Sequence, residues 1–432
     1  MSCTLQEVSP AILSPTKKEM NSYLGSKFYR ATREIQKNTI LNRATVELLG
    51  ADLPTSLTEL IGRNWKSAVE SAFRITWYMV NSMLIPLFFI PLLNKIAKSE
   101  FDLPKNFSKT FYNQFEDLLP EKNTEEGNKE FLKKLTELEG EEKVKGFLGD
   151  KKEEHDKKIL DFKDKLLRAK SFVMKKDVLF AGLLTYMVPW TTNWFSKRIL
   201  GVTGFTGELD LLDESQKEES TQLHEKTKYL KFGFGLLPTF FGSNWYSDSA
   251  YKAATVPQVE VDKSKWLSFI KNNIKQFDYY KEIYANKLNL AGTFLFGGDS
   301  GFLLASRSLN ELIERTLRIS IFLPTMFFGV EWVNLKLSEK HDKKYGTKIV
   351  DYDLPKEMGI RQVKSLDELE VQLKQSEIEG DEGKGKLISD TIKGQVKNYW
   401  LSILLDSVLM GVGLTSANII GTKIRVEKFG IY

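Results

Sequence analysis

Residues 42–52 read NRATVELLGAD and residues 289–299 read NLAGTFLFGGD, and the fold turns on taking these as two copies of one stretch. Outward from each, the same landmarks follow in the same order. Copy one continues with Glu70 and Arg74 in ESAFRIT, an apolar run, and FDLPK at 101–105. Copy two continues with Glu314 and Arg318 in ERTLRIS, an apolar run, and YDLPK at 352–356. Several landmarks at a nearly constant offset are hard to produce by chance, so the chain reads as internally duplicated. A weaker echo, Val202 and Phe205 of GVTGF against Val426 and Phe429 of RVEKF, carries the likeness towards the end of each copy.

The flanking sequence alternates apolar and highly charged blocks. Tyr23, Phe28, Ile35, Ile40 and Leu41 recur at loosely helical spacing and predict an amphipathic helix over about 16–49, with Gly50 able to end it in a left-handed conformation. Ser56-Leu57-Thr58-Glu59 has the spacing of a capping box for the next helix. The run 75–93 carries no charge and, at about 1.5 Å per residue, nearly crosses a hydrocarbon core of about 30 Å. Its Pro86 and Pro91 are better tolerated in a membrane helix than in water.

Residues 95–176 then turn to Lys and Glu, with Phe131, Leu132, Leu135, Leu138, Ile159, Leu160, Phe162, Leu166 and Leu167 at helical spacing. This predicts a charged helical hairpin broken near Gly146–Gly149; a solvated, partly unfolded loop is the plainer reading of the same composition. A second apolar run covers 178–195, a glycine-rich and acidic linker covers about 200–226, and 230–242 is apolar but too short to cross. Copy two has a weaker run at 317–333, a second charged insert at 336–397 and a final run at 399–420.

Composition excludes several classes. The 62 basic and 57 acidic residues nearly cancel, which gives no concentrated basic face for nucleic acid. Cys3 is the single cysteine, so no intrachain disulfide or thiolate metal cluster can form. His155, His224 and His341 lack ligand spacing and lie in hydrophilic stretches, which predicts no metal, no cofactor and no catalytic role. Gly298-Asp299-Ser300-Gly301 matches the GDSG of serine-protease nucleophiles, yet no histidine base accompanies it, and LFGGD has a simpler origin as the counterpart of LLGAD. No P-loop occurs. The N-terminus lacks the basic and apolar pattern of a secretory signal.

Trp77, Trp190, Trp194, Trp332 and Trp400 sit near the ends of the apolar runs, where a membrane headgroup layer suits an amphipathic ring. Lys158, Lys163, Lys165, Arg168, Lys170, Lys175 and Lys176 precede the second run, a bias that points the inserts to the cytoplasm. The expected architecture is therefore all-α: a helical integral membrane protein of two tandem parallel repeats with charged helical inserts. The first repeat would cover 1–205, a linker 206–275, and the second repeat 276–432. A soluble helical protein with these runs as its core is the competing fold.

Seven residues are candidates for a polar lining or structural motif. Glu70 with Arg74, and Glu314 with Arg318, stand four apart and share a helix face; they would line a path between the copies or simply pair at a surface. Asp52 and Asp299 follow the glycines of each motif and would serve as gate residues or helix N-caps. Asp406 lies inside an apolar run, where a carboxylate must be neutral, paired or facing a cavity. The expected role is a non-enzymatic membrane scaffold whose partners are the lipid bilayer and a protein bound through 106–170 and 336–397. A small-solute or lipid transporter is the alternative.

Overall fold

The computed structural model describes residues 17–62, 64–108, 111, 125–149, 152–203, 206, 214–255, 263–268, 287–352 and 362–429. Among them the chain is helical almost throughout; the β-pairing is a single isolated bridge, Val350 to Val363. The LPK of YDLPK, at 354–356, and the VTGF comparison at 205 lie outside the described residues.

The first copy contributes α1 (Lys17–Gly25), α2 (Lys27–Lys37), α3 (Thr39–Glu47), α4 (Leu53–Gly62), α5 (Trp65–Met79) and α6 (Ile85–Glu100). The expected single helix over 16–49 is thus three helices. Ser26 begins the second of them, its side chain accepting from the Tyr29 N–H at 3.2 Å. Gly50 does not end a helix: it lies in a wide, five-residue turn, Leu48–Asp52, that carries α3 into α4. A second wide turn, Val80–Leu84, joins α5 to α6.

The charged insert folds as α7 (Glu125–Glu139) and α8 (Glu141–Leu148), then enters α9 (Lys152–Phe195). Gly140 (φ 87°) and Gly149 (φ 79°) make the breaks, taking a left-handed φ that a side chain would oppose. This insert has a core of its own: Phe107, Phe131, Leu135, Val144, Leu148, Ile159, Phe162 and Leu166 are buried together. From Ala97 to Tyr186, Leu160 is the exposed large apolar side chain among the described residues.

The expected linker is helical over most of its length. α10 (Glu214–Leu237), a wide turn at Pro238–Gly242 and α11 (Ser243–Thr255) follow one another without a break, so the short apolar stretch 230–242 sits inside a much longer helix. The second copy supplies α12 (Lys287–Thr293), α13 (Asp299–Leu304), α14 (Leu309–Pro324), α15 (Val330–Tyr345), α16 (Leu366–Glu379) and α17 (Glu382–Phe429). Wide turns at Phe294–Gly298 and Thr325–Gly329 link α12 to α13 and α14 to α15. The order helix, wide turn, helix, capped helix, wide turn, helix therefore occurs in both copies, with Asn64 and Ser308 as the corresponding N-caps.

The chain packs as two compact units that do not follow the repeat boundaries: 1–50 with 328–408, and 51–327 with 409–432. In the first, α3 runs parallel to α17, with Tyr399 donating to Asn42 Oδ1 (2.7 Å) and Ser407 to the Leu49 carbonyl (2.6 Å), whereas α2 runs antiparallel to it, with Trp400 Nε1 donating to Thr32 Oγ1 (2.9 Å) and Gln395 to Gln36 (3.4 Å). α16 closes on α2 through Arg33–Asp367 (2.6 Å) and Tyr29 donating to Glu370 (2.7 Å).

In the second unit α9 is the central mast. α5 and α6 run antiparallel to it, stacking Phe73 on Phe195 (4.1 Å) and Phe89 on Phe180 (3.9 Å) and setting Phe101 edge-on to Phe172 (5.8 Å). α12 and α13 run parallel to it, from Asn289 donating to Asp177 (2.5 Å) to Asn193 donating to the Ala305 carbonyl (2.8 Å). Thus the Asn42 motif lies along the last helix of copy two, and the Asn289 motif along the last helix of copy one.

Two helices among the described residues are long and apolar enough to cross a membrane, Glu311–Tyr345 and Glu382–Ala417, with 28% and 33% of their apolar windows buried. They contain the expected run 317–333 and most of 399–420. The other two expected runs, 75–93 and 178–195, are helical within α5–α6 and α9 but do not join that pair.

Candidate functional site: a buried ion cluster

The helix starts at Asn64 and Ser308 set the site. Asn64 Oδ1 accepts from the Ser67 N–H (2.9 Å) and Ser308 Oγ from the Glu311 N–H (3.1 Å), each satisfying an N–H that a first turn leaves without an intrahelical partner. α5 then carries Glu70 and Arg74, and α14 carries Glu311, Glu314, Arg315 and Arg318, all within the second unit.

These side chains meet in the interior. Arg307 Nη2 lies 3.0 Å from Glu70 Oε1 and 3.0 Å from Glu311 Oε1, and Ser196 donates to the second oxygen of Glu70 (2.5 Å). Arg315 pairs with Glu311 (2.6 Å) and also donates to the Phe302 carbonyl. Arg318 pairs with its own-helix neighbour Glu314 (2.9 Å) and with Glu59 of α4, which accepts from Ser67 (2.6 Å). Arg74 donates to Ser71 (3.1 Å) and stacks on the Phe302 ring at 4.8 Å, with Arg315 over the same ring at 4.5 Å.

Among the described residues four carboxylates (Glu59, Glu70, Glu311, Glu314) thus face four guanidiniums (Arg74, Arg307, Arg315, Arg318), with Lys231 at the edge, its Nζ donating to the Ser306 carbonyl (3.3 Å) and its charge within reach of Glu311. Burial works against the Arg307 charge, but Glu311 and Glu70 beside it hold the guanidinium above its ordinary range. Arginine stays protonated in proteins, and among the described residues the paired groups include no histidine or cysteine. Its chemistry is therefore that of a polar lock joining α4, α5, α14 and the turn at Arg307.

All four paired candidates of the sequence are in this cluster, but not as two isolated pairs: Glu70 reaches Arg307 rather than Arg74 as its closest ion partner. Glu59 was expected in a capping box; α4 already begins at Leu53, and Glu59 points to Ser67 and Arg318. Glu311 and Arg315 gave no signal through the duplication, whereas Arg307 stands where copy one has Arg63. The offset that relates Glu70 to Glu314 relates Ser67 to Glu311 and Ser71 to Arg315, so copy one has hydroxyls where copy two has ions. The signal available was the four-residue step from Glu311 to Arg315.

The aspartates lie elsewhere. Asp52 is buried at the end of the wide turn Leu48–Asp52, directly before α4, and Asp299 is the first residue of α13, where the helix runs on from the turn before it and Gly298 takes the N-cap position. Asp406 is buried in α17 beside Gly50, with 3.2 Å from its Oδ2 to the place a Cβ on Gly50 would occupy, and its Oδ1 has no hydrogen-bond partner among the described residues. No group of metal-ligating side chains occurs among the described residues.

A second candidate lies at the FDLPK landmark. Asp102, Leu103, Pro104 and Lys105 line a surface groove of about 340 Å³ with Phe147, Asp161, Phe162 and Lys165. Asp102 holds φ at 47°, a conformation unusual for a residue with a side chain. Asp161 and Lys165 pair across 3.3 Å on the opposite wall. Comparison with protein-family models, curated proteins and solved structures finds no match to the chain.

Proposed function

We propose that the chain is an integral membrane scaffold built from two tandem parallel repeats, whose charged arms stand in water and bind a protein partner. One observation carries the membrane part: the apolar helices turn large apolar side chains outward and bury polar ones among their apolar contacts. Leu84, Phe88, Leu92 and Ile96 of the α5–α6 rod are exposed, as are Leu404, Val408, Leu409 and Val412 of α17. Their buried positions include Asn81, Ser82 and Asn94, Thr185 and Thr192, Ser402 and Asp406. The arm 125–170 has the opposite pattern, with phenylalanines inside and Lys and Glu outside. A chain that sorts its apolar atoms outward over one region and inward over another matches two solvents, hydrocarbon and water.

The repeat reading is supported by the matched order of helices and wide turns, and by the parallel course of the Asn42 motif along α17 and of the Asn289 motif along α9. The scaffold reading is supported by the groove beside FDLPK, which belongs to the arm and offers Lys105 and Lys165 as well as Asp102 and Asp161. The transporter alternative would use the ion cluster, but each of its carboxylates is already paired with a guanidinium, which suits a fixed lock better than a binding site.

The test is Lys105→Glu together with Lys165→Glu in the full-length chain. Cross-linking in native membranes should recover fewer partner proteins with this variant than with the wild type, while the chain still fractionates with membranes. An unchanged set of cross-linked partners contradicts the scaffold role.

A further inference from the structure

We propose that α10 and α11 together cross the bilayer, with one face against lipid acyl chains, so that the segments before and after them lie on opposite sides of the membrane; this rests on the membrane reading above. From Phe232 to Ser247 the helix has no charged residue, between Lys231 and Asp248. Its neighbour α9 has none from Val178 to Ser196, between Asp177 and Lys197. The two helices are antiparallel and these zones are in register. At one end Lys175 meets Asp248 at 2.9 Å; towards the other, Trp190 packs edge-on to Phe232 at 5.3 Å.

The two faces of the helix differ as a lipid-exposed helix requires. Towards α9 it presents small residues: Thr239 and Ser243 approach Gly182, and Gly235 lies so close to Tyr186 and Leu304 that a methyl group would clash. Close packing through glycine and hydroxyl side chains is how helices associate where no hydrophobic drive exists between them. On the other face Leu230, Phe234, Leu237, Phe241 and Trp245 are exposed, stepping by three or four residues along one stripe. From Lys231 to Asp248 the helix spans about 26 Å at about 1.5 Å per residue, close to the hydrocarbon thickness. Lys228 over the Tyr229 ring (5.1 Å) and Trp245 mark the two ends, where amphipathic rings are favoured.

This crossing has a consequence for the repeats. Alone it would invert copy two relative to copy one. α12 and α13, running parallel to α9 from Asp177 to Asn193, return the chain across the same zone and restore the common orientation.

The experiment uses the full-length chain with Cys3→Ser, carrying either Lys226→Cys or Lys252→Cys, two exposed positions about 39 Å apart along the helix. Sealed native membrane vesicles are treated with a membrane-impermeant maleimide before and after permeabilisation. One cysteine should react in intact vesicles and the other only after permeabilisation. Two cysteines reacting in the same fraction overturn the crossing while leaving the chain in the membrane. Release of the chain by alkaline carbonate, measured on the same vesicles, would instead overturn the membrane reading and this inference with it.

Discussion

Arg307 shows how much one buried side chain can hold. Its guanidinium ties Glu70 of α5 to Glu311 of α14, and its own N–H reaches the Glu311 carboxylate. Removing one partner of a buried ion pair leaves the other charge without compensation, which typically costs about 3–5 kcal/mol. Arg307→Met should therefore lower the thermal unfolding midpoint of the purified protein sharply, and Glu70→Gln added to it should recover part of the loss. Equal losses in single and double variants would show that the pair is not coupled. The duplication made Glu70, Arg74, Glu314 and Arg318 legible because they recur; it hid Glu311 and Arg315 because copy one has Ser67 and Ser71 there, while Arg307 does recur, as Arg63, but outside the landmark strings.

Asp177, just before the apolar zone of α9, supplies a dependence on pH. Burial pushes its carboxyl up to about 7, against the hydrogen bond from Asn289, which pulls it down. The folded chain then keeps this proton where the unfolded chain has lost it, so the Asp177 contribution makes stability fall as pH rises from about 4 to about 7, at no more than about 1.4 kcal/mol per pH unit. Asp177→Asn should remove that slope: the variant gains on the wild type between pH 4 and pH 7 and keeps the gain above. Unfolding midpoints of both proteins at pH 5 and pH 8 measure it, and an equal difference at the two values contradicts the assignment.

At the scale of the element, the chain's helices are longer than its composition suggested. α9 (44 residues) and α17 (48 residues) each run from a charged insert into an apolar zone without a break. The sequence shows two blocks there because its polarity changes, whereas the backbone responds to helix propensity and to breakers, and α9 has its one proline, Pro189, deep in the apolar zone. Gly149 ends a helix within the expected break at Gly146–Gly149, and Gly140 makes a further break that was not expected, since a positive φ suits both; Gly50 does not end one, because a wide turn absorbs it. The stretch 230–242 looked too short on its own because Lys231 bounds it, and its continuation through Trp245 becomes visible only when small residues are seen facing α9.

For the whole molecule, the all-helical class was legible in the periodicity of the inserts and the length of the apolar runs. The pairing of the segments was not. The units 1–50 with 328–408 and 51–327 with 409–432 cut across the expected repeats: the Asn42 motif packs along α17 and the Asn289 motif along α9, contacts of long sequence separation that no local pattern encodes. The arms and the rods differ in which atoms they turn outward, and the account stands on that difference.

The most direct test is to read it along one helix. Single nitroxide-labelled cysteines at Leu84, Phe88, Ile90, Leu92, Leu93 and Ile96, in a Cys3→Ser background, report collisions with oxygen, which concentrates in lipid, and with a water-soluble nickel reagent. The account predicts high oxygen and low nickel accessibility at the exposed Leu84, Phe88, Leu92 and Ile96, with both low at the buried Ile90 and Leu93. High nickel accessibility at Leu84, Phe88 and Leu92 would contradict it, because that face would then be in water.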